Sequence, residues 1–231
     1  MLYTVNNSFA ISNKIMKKIA LIIALLLMTF KLLAQDCSQY MYMKKNRIIE
    51  STCYDEKGNI LRKVISTVAD VSTTNGTTTA NVVSEYFDKS GKADGKKNIS
   101  YKCNGGKFIM DMGSNTPQQG NVKLNVSSME YPAGMKVGDH LNSVTSQMEE
   151  KIGGTTSMGT SQIDRTVVAK ETVTTTAGTW NSFKIINKTT TMIKGYKMAP
   201  FTSESTEWYV PNFGIVKFQF IGLTTEITWL R

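Results

Sequence analysis

Cys37, Cys53, Cys103 and His140 are the residues of this chain best suited by type to metal or nucleophilic chemistry. Their number limits them. One histidine and three cysteines cannot complete an all-cysteine or a three-histidine zinc site. A cysteine nucleophile works with a histidine base, and His140 sits behind Gly138-Asp139 in a turn-like stretch. The carboxylates are no better placed. Glu149 and Glu150 are adjacent, so in a strand they point to opposite faces, and the odd spacing of Glu204 and Glu207 has the same effect. A carboxylate pair would have to assemble from distant strands, with Glu171 and Glu207 as candidates.

Two glycine-bearing segments invite a sharper reading and fail it. Asp88-Lys89-Ser90-Gly91-Lys92-Ala93-Asp94-Gly95 has the outline of a calcium loop, but Lys92 puts a cation among the ligands and the glycine is misplaced. It reads as a turn. Gly154-Thr155-Thr156-Ser157-Met158-Gly159 approximates a nucleophile elbow, but Thr155 stands where that motif needs its first glycine, and the α/β context is missing. There is no phosphate-binding glycine loop and no dinucleotide fingerprint. The expectation is a protein that is not an enzyme, with no catalytic residues, no metal and no cofactor.

The chain has 231 residues and a formal charge of +9. Met16-Lys17-Lys18, the apolar run Ile19 to Phe30, and Lys31-Leu32-Leu33-Ala34-Gln35 have the layout of a signal peptide. The run is too short to span a bilayer, which takes about 18 apolar residues or more. Met16 is the expected start, with residues 1–35 the upstream extension and signal peptide, and residues 36–231 one β domain. Cys37 follows Asp36 rather than a small residue, so a free mature N-terminus near Gln35 or Asp36 is expected, with no membrane span in the mature chain.

Losing residues 1–34 removes four lysines and no acid, which leaves +5. No more than two basic residues are adjacent in what remains, so the clustered stripe that binds nucleic acid is missing. Export to the periplasm, the cell envelope or the exterior also places the cysteines in an oxidising space. Three cysteines allow one disulfide and one free thiol, with all three pairings of Cys37, Cys53 and Cys103 open. A bond closing a loop of about 15 residues, as Cys37–Cys53 would, contributes ~3 kcal/mol in the loop-entropy model.

The elements that must position all this are strands. Ile60 to Val71 and Val82 to Phe87 are β-rich. Ile99/Tyr101/Cys103, Phe108/Met110/Met112, Val122/Leu124/Val126 and Val216/Phe218/Phe220 alternate with polar or opposite-face neighbours, as half-buried antiparallel strands do. The 28 threonines suit a pleated surface because their side chains are β-branched. Tyr54-Asp55-Glu56-Lys57-Gly58 and Phe87-Asp88-Lys89-Ser90-Gly91 share the pattern aromatic-Asp-x-x-Gly, in which Asp accepts backbone hydrogen bonds and Gly takes positive φ. Asn75-Gly76, Asn104-Gly105-Gly106 and Pro211-Asn212-Phe213-Gly214 are further turns. The breaks divide the chain into about ten or eleven strands joined by short turns. The fold class is therefore all-β: a large antiparallel meander sheet, curved into a half-barrel or open barrel-like form after an N-terminal signal helix. Residues 113–120 are the best loop or linker.

Methionines and aromatics recur in these strands. A concave face built of Phe108, Met110, Met112, Trp208, Phe218 and Phe220 would suit a lipid or other apolar small molecule, or an extended ligand. The plainer reading is that these side chains are core. The alternative function is a structural or interaction module that meets another envelope protein through an exposed sheet edge.

Three stretches carry a resemblance. They are Tyr131-Pro132-Ala133-Gly134-Met135-Lys136-Val137-Gly138-Asp139-His140-Leu141, then Val167 to Trp180 with Phe183-Lys184-Ile185, and Glu207-Trp208-Tyr209-Val210-Pro211-Asn212-Phe213-Gly214-Ile215-Val216-Lys217. With the Cys37 start they resemble the TapB-like family of exported bacterial proteins, a group of unknown function, over essentially the whole mature chain. The resemblance implies a curved antiparallel sheet and export to the envelope, and it implies no activity. The chain departs from the pattern at Ser182, where members often carry a cysteine.

Overall fold

In a computed structural model, residues 37–111, 122–152, 155–194 and 199–231 are described. The leader (residues 16–34), the loop at 113–120, Met112 and Gly154 lie outside them. Residues 36–231 form a compact unit of their own.

Among the described residues there is no α-helix. Two short turns of 3-10 helix, Cys37–Gln39 and Met41–Met43, lead into thirteen strands. The first five are β1 (Ile48–Tyr54), β2 (Ile60–Thr74), β3 (Thr77–Asp88), β4 (Ala93–Asn104) and β5 (Lys107–Asp111). Then come β6 (Val122–Val126), β7 (Met129–Pro132), β8 (Val144–Ile152) and β9 (Thr155–Thr175). The last are β10 (Gly178–Lys194), β11 (Phe201–Val210), β12 (Gly214–Phe220) and β13 (Leu223–Leu230).

All thirteen belong to one antiparallel sheet in the order β6-β8-β9-β10-β11-β12-β13-β1-β2-β3-β4-β5-β7, which does not close into a barrel. The expected fold class holds, and the expected count of ten or eleven is corrected to thirteen. β7 spans four residues, too few to show a two-residue period, and only Ser127-Ser128 separates it from β6.

The turn chemistry is as the sequence indicates. Asp55 Oδ1 accepts from the backbone N–H groups of Lys57 and Asn59 at 2.9 and 2.8 Å. Asp88 Oδ1 does the same for Ser90 and Lys92 at 2.8 and 3.0 Å. The Asp88 segment is thus a turn.

Two hydrophobic clusters hold the sheet. In the first, Tyr40 stacks on Phe108 with centroids 4.7 Å apart, Tyr42 on Tyr101 at 4.4 Å, and Tyr131 on Tyr209 at 4.4 Å. Val68, Ala80, Val82, Val167 and Ile185 pack around these rings without exposed surface. The disulfide Cys37–Cys103 ties the N-terminal turns to β4, and Cys53 is the free thiol. The bond therefore closes a loop with a sequence separation of 66, not the short Cys37–Cys53 loop. The second cluster joins Ile49, Val173, Trp208, Val216 and Ile227. The turn between β9 and β10 reaches β13 beside it, where the Ala177 N–H donates to the Ile227 carbonyl at 3.3 Å.

Candidate functional site

β1 lies in the interior of the sheet, between β13 and β2. Ile49 on β1 is fully buried, so side-chain alternation sends Glu50, Thr52 and Tyr54 to the other face. Glu50 is opposite Trp229 on β13, Thr52 is opposite Lys63 on β2, and Tyr54 is opposite Ile60. A β-bulge at Glu50/Ser51 adds Thr228 to the same row. With Thr176 from the β9–β10 turn, these residues line an open groove of about 540 Å³.

The polar members of the groove are preset. Lys63 Nζ lies 3.4 Å from Glu50 Oε1. Thr228 Oγ1 donates to the same carboxylate oxygen at 2.9 Å and lies 3.0 Å from Thr52 Oγ1. Thr176 donates its N–H and its hydroxyl to Glu226 Oε1 at 3.2 and 3.0 Å, which ties the β9–β10 turn to β13. The apolar members stand open, with Trp229 46% exposed and Ile60 42% exposed. The arrangement offers two rings, exposed Trp229 and half-buried Tyr54, with one carboxylate, one ammonium and the Thr176 and Thr228 hydroxyls to a ligand lying along β1, while buried Thr52 backs Thr228 from below.

The six residues nominated from sequence do not form one face. Phe108 has no exposed surface and is stacked by Tyr40; Met110 is packed beside it in the first cluster. Met112 lies outside the described residues. Trp208 belongs to the second cluster, its indole N–H donating to Glu171 Oε1 at 2.7 Å. Phe218 lines a shallow depression with Tyr42, Ile215 and Ile227, and Phe220 lines another with Ile221 and Leu223. Phe108 and Trp208 thus spend their surface on the protein's own side chains.

Glu171 and Glu207 do not share a cleft. Glu171 is held by Trp208, while Glu207, on the preceding residue of β11, takes the opposite face. Glu207 is buried and paired: Arg165 Nη2 donates to Oε1 at 2.9 Å, and the Tyr131 hydroxyl sits 3.2 Å from each carboxylate oxygen. Burial, and after it the Glu207 charge, push the Tyr131 phenol well above its ordinary pKa. His140 Nδ1 lies 3.1 Å from Thr166 Oγ1 in an isolated bridge to β9. Among the described residues, no group of three or more His, Cys, Asp or Glu is placed to hold a metal ion.

Sequence reasoning missed the groove because its walls meet only through the pairing of β1 with β13 and β2 and the approach of the β9–β10 turn. Glu50, Lys63 and Trp229 belong to three different strands, and no local motif joins them. The one available signal is Trp229 itself, an aromatic in a strand-like stretch, and alone it names no partner.

Comparison with known proteins agrees with the geometry of the sheet. A family profile described as DUF3108-like matches residues 44–219. No curated protein matches the chain. Among solved structures, a candidate lipoprotein from Parabacteroides distasonis superposes with a TM-score of 0.69 at 21% identity, covering 85% of this chain and 100% of that one. A candidate exported protein with a YmcC-like fold from Bacteroides fragilis gives 0.65 at 19% identity, covering 83% of this chain and 98% of that one. At such identities the likeness establishes the shared fold.

Proposed function

The chain belongs to the DUF3108-like family, and from that premise we propose that it is an exported envelope protein, a binding module with no catalytic role, that receives an extended ligand along β1. Within the family we place it beside the TapB-like group, on the three stretches that carry that resemblance. The observation that carries the binding reading is the open groove, with Trp229 46% exposed above a carboxylate already held by Lys63 and Thr228. A large indole left half in water within a shaped groove has surface to offer a ligand. Export is supported by the leader composition and by the descriptions of the two structural neighbours as exported protein and lipoprotein.

The test has two parts. Cells producing the full chain are fractionated, and the protein is expected in the envelope or the medium with its leader removed. The purified protein is then mixed with an insoluble preparation of cell envelope and sedimented. The wild type should pellet, and Trp229→Ala should stay in the supernatant. Wild-type protein that remains soluble at every envelope concentration overturns the binding reading. A second reading, an interaction module for an envelope protein, rests on β6, an outermost strand of the sheet.

A further inference from the structure

Resting on the binding reading, we infer that the groove takes a neutral carbohydrate strand, with sugar rings laid against Trp229 and Tyr54 and hydroxyls bonded by Glu50, Lys63, Thr176 and Thr228. Trp229 lies opposite Glu50, and Tyr54 ends the same row four residues on. At about 3.3 Å per residue the two aromatic positions are about 13 Å apart along the strand. That spacing suits a short run of linked sugars rather than a single ring. The C–H face of a pyranose is apolar and flat, and it covers an indole or phenol face well.

The polar lining fits the rest of such a ligand. A sugar hydroxyl both donates and accepts. Glu50 offers an acceptor, Lys63 a donor, and the Thr176 and Thr228 hydroxyls, whose protons go to Glu226 and Glu50, offer further acceptors. The Glu50–Lys63 pair also leaves the groove without net charge, which favours a neutral strand over an acidic one.

Other ligand classes fit less well. Both sides of β1 are taken up by pairing to β13 and β2, so no main-chain groups are free to accept a peptide as an added strand. A lipid tail laid here would take the part-exposed Glu50 and Lys63 charges out of water and offer them no hydrogen bond in return.

The experiment repeats the sedimentation with envelope preparations treated in three ways. One is oxidised with periodate and digested with lysozyme, which together destroy rings carrying vicinal diols and the wall glycan. One is digested with a broad protease, and one is extracted with chloroform and methanol. Carbohydrate recognition predicts that the first treatment lowers retention about tenfold or more, while the other two leave it unchanged. Trp229→Ala should lower retention about tenfold, Trp229→Phe should recover part of it, and Glu50→Gln should weaken it, all with unchanged Tm. Retention that survives loss of the glycan, but not loss of protein or lipid, overturns the carbohydrate inference and leaves the binding reading standing. An untreated envelope that retains nothing overturns both.

Discussion

Arg165 and Glu207 are taken almost wholly out of water, with side chains 0% and 1% exposed. Such a pair holds only while both charges are present. Removing one partner leaves the other buried and uncompensated, at a cost of ~3–5 kcal/mol, whereas replacing both with apolar groups is often near neutral. Arg165→Met should therefore destabilise the protein by about that amount, and adding Glu207→Leu should recover most of the loss, as read by urea unfolding. If Arg165→Met unfolds at the wild-type midpoint, the pair holds nothing. The tyrosines around it set the alkaline limit. Burial pushes Tyr42 from 10.0 up to about 12, and Tyr101, Tyr131 and Tyr209 are raised as well, chiefly by burial. In the unfolded chain these phenols titrate near 10, so above that pH the unfolded state binds fewer protons than the folded one. Stability is fully present below pH 10 and falls as the pH rises toward 12 and beyond. Tyrosinate absorbance should appear for these groups only together with unfolding. Their free titration in a folded protein would contradict the burial.

Two elements carry predictions of their own. At the first residue of β12, Gly214 has φ +129, and a Cβ there would come 3.2 Å from the Tyr42 ring. The positive φ strains any side chain there and the Tyr42 ring leaves little room for one, so Gly214→Val should cost more than ~1 kcal/mol. An unchanged Tm would show that Tyr42 moves aside freely. The N-terminal turns are the second case. They place Tyr40, Met43 and half-buried Tyr42 on the first cluster and are anchored by Cys37–Cys103. For a loop of this length the entropy model gives about 4 kcal/mol, so Cys103→Ala should lower unfolding free energy by up to that much. A loss near zero would mean that the stacked rings hold the segment unaided. These elements also show what was legible in the sequence. Alternation and Asp-x-x-Gly turns identified the strands and hairpins because both signals are local. The disulfide partner of Cys37, the partners of Glu207 and the walls of the groove depend on residues far apart in the chain. Only the assembled sheet brings them together.

Two long-range closures define the β domain. β1 pairs with β13, so the first and last strands meet inside the sheet, and the Ile48 and Arg231 backbones exchange hydrogen bonds at 2.9 and 3.0 Å. Ser127-Ser128 then carries the chain from β6, outermost on one side, to β7, outermost on the other. That crossing is stitched by side chains. Asn142 donates to the Ser128 carbonyl at 2.9 Å and accepts from the Glu130 N–H at 2.9 Å, while Arg165 Nη1 donates to the Glu130 carbonyl at 3.1 Å. The sheet is thus drawn together at one corner without its outer strands pairing. Such contacts are remote in sequence, which predicts slow folding compared with a helical protein of equal length. They also make the C-terminal strand indispensable. Without residues 223–231, β1 and β12 lose their shared partner and become unpaired edges, and the second cluster loses Ile227. Unpaired interior strands with apolar faces recruit other chains. The truncated protein should therefore show no cooperative thermal transition, bind a hydrophobic dye and aggregate on concentration. A soluble truncated monomer with a sharp transition near the full-length Tm would show that the two halves of the sheet fold independently, and that β13 serves the groove rather than the fold.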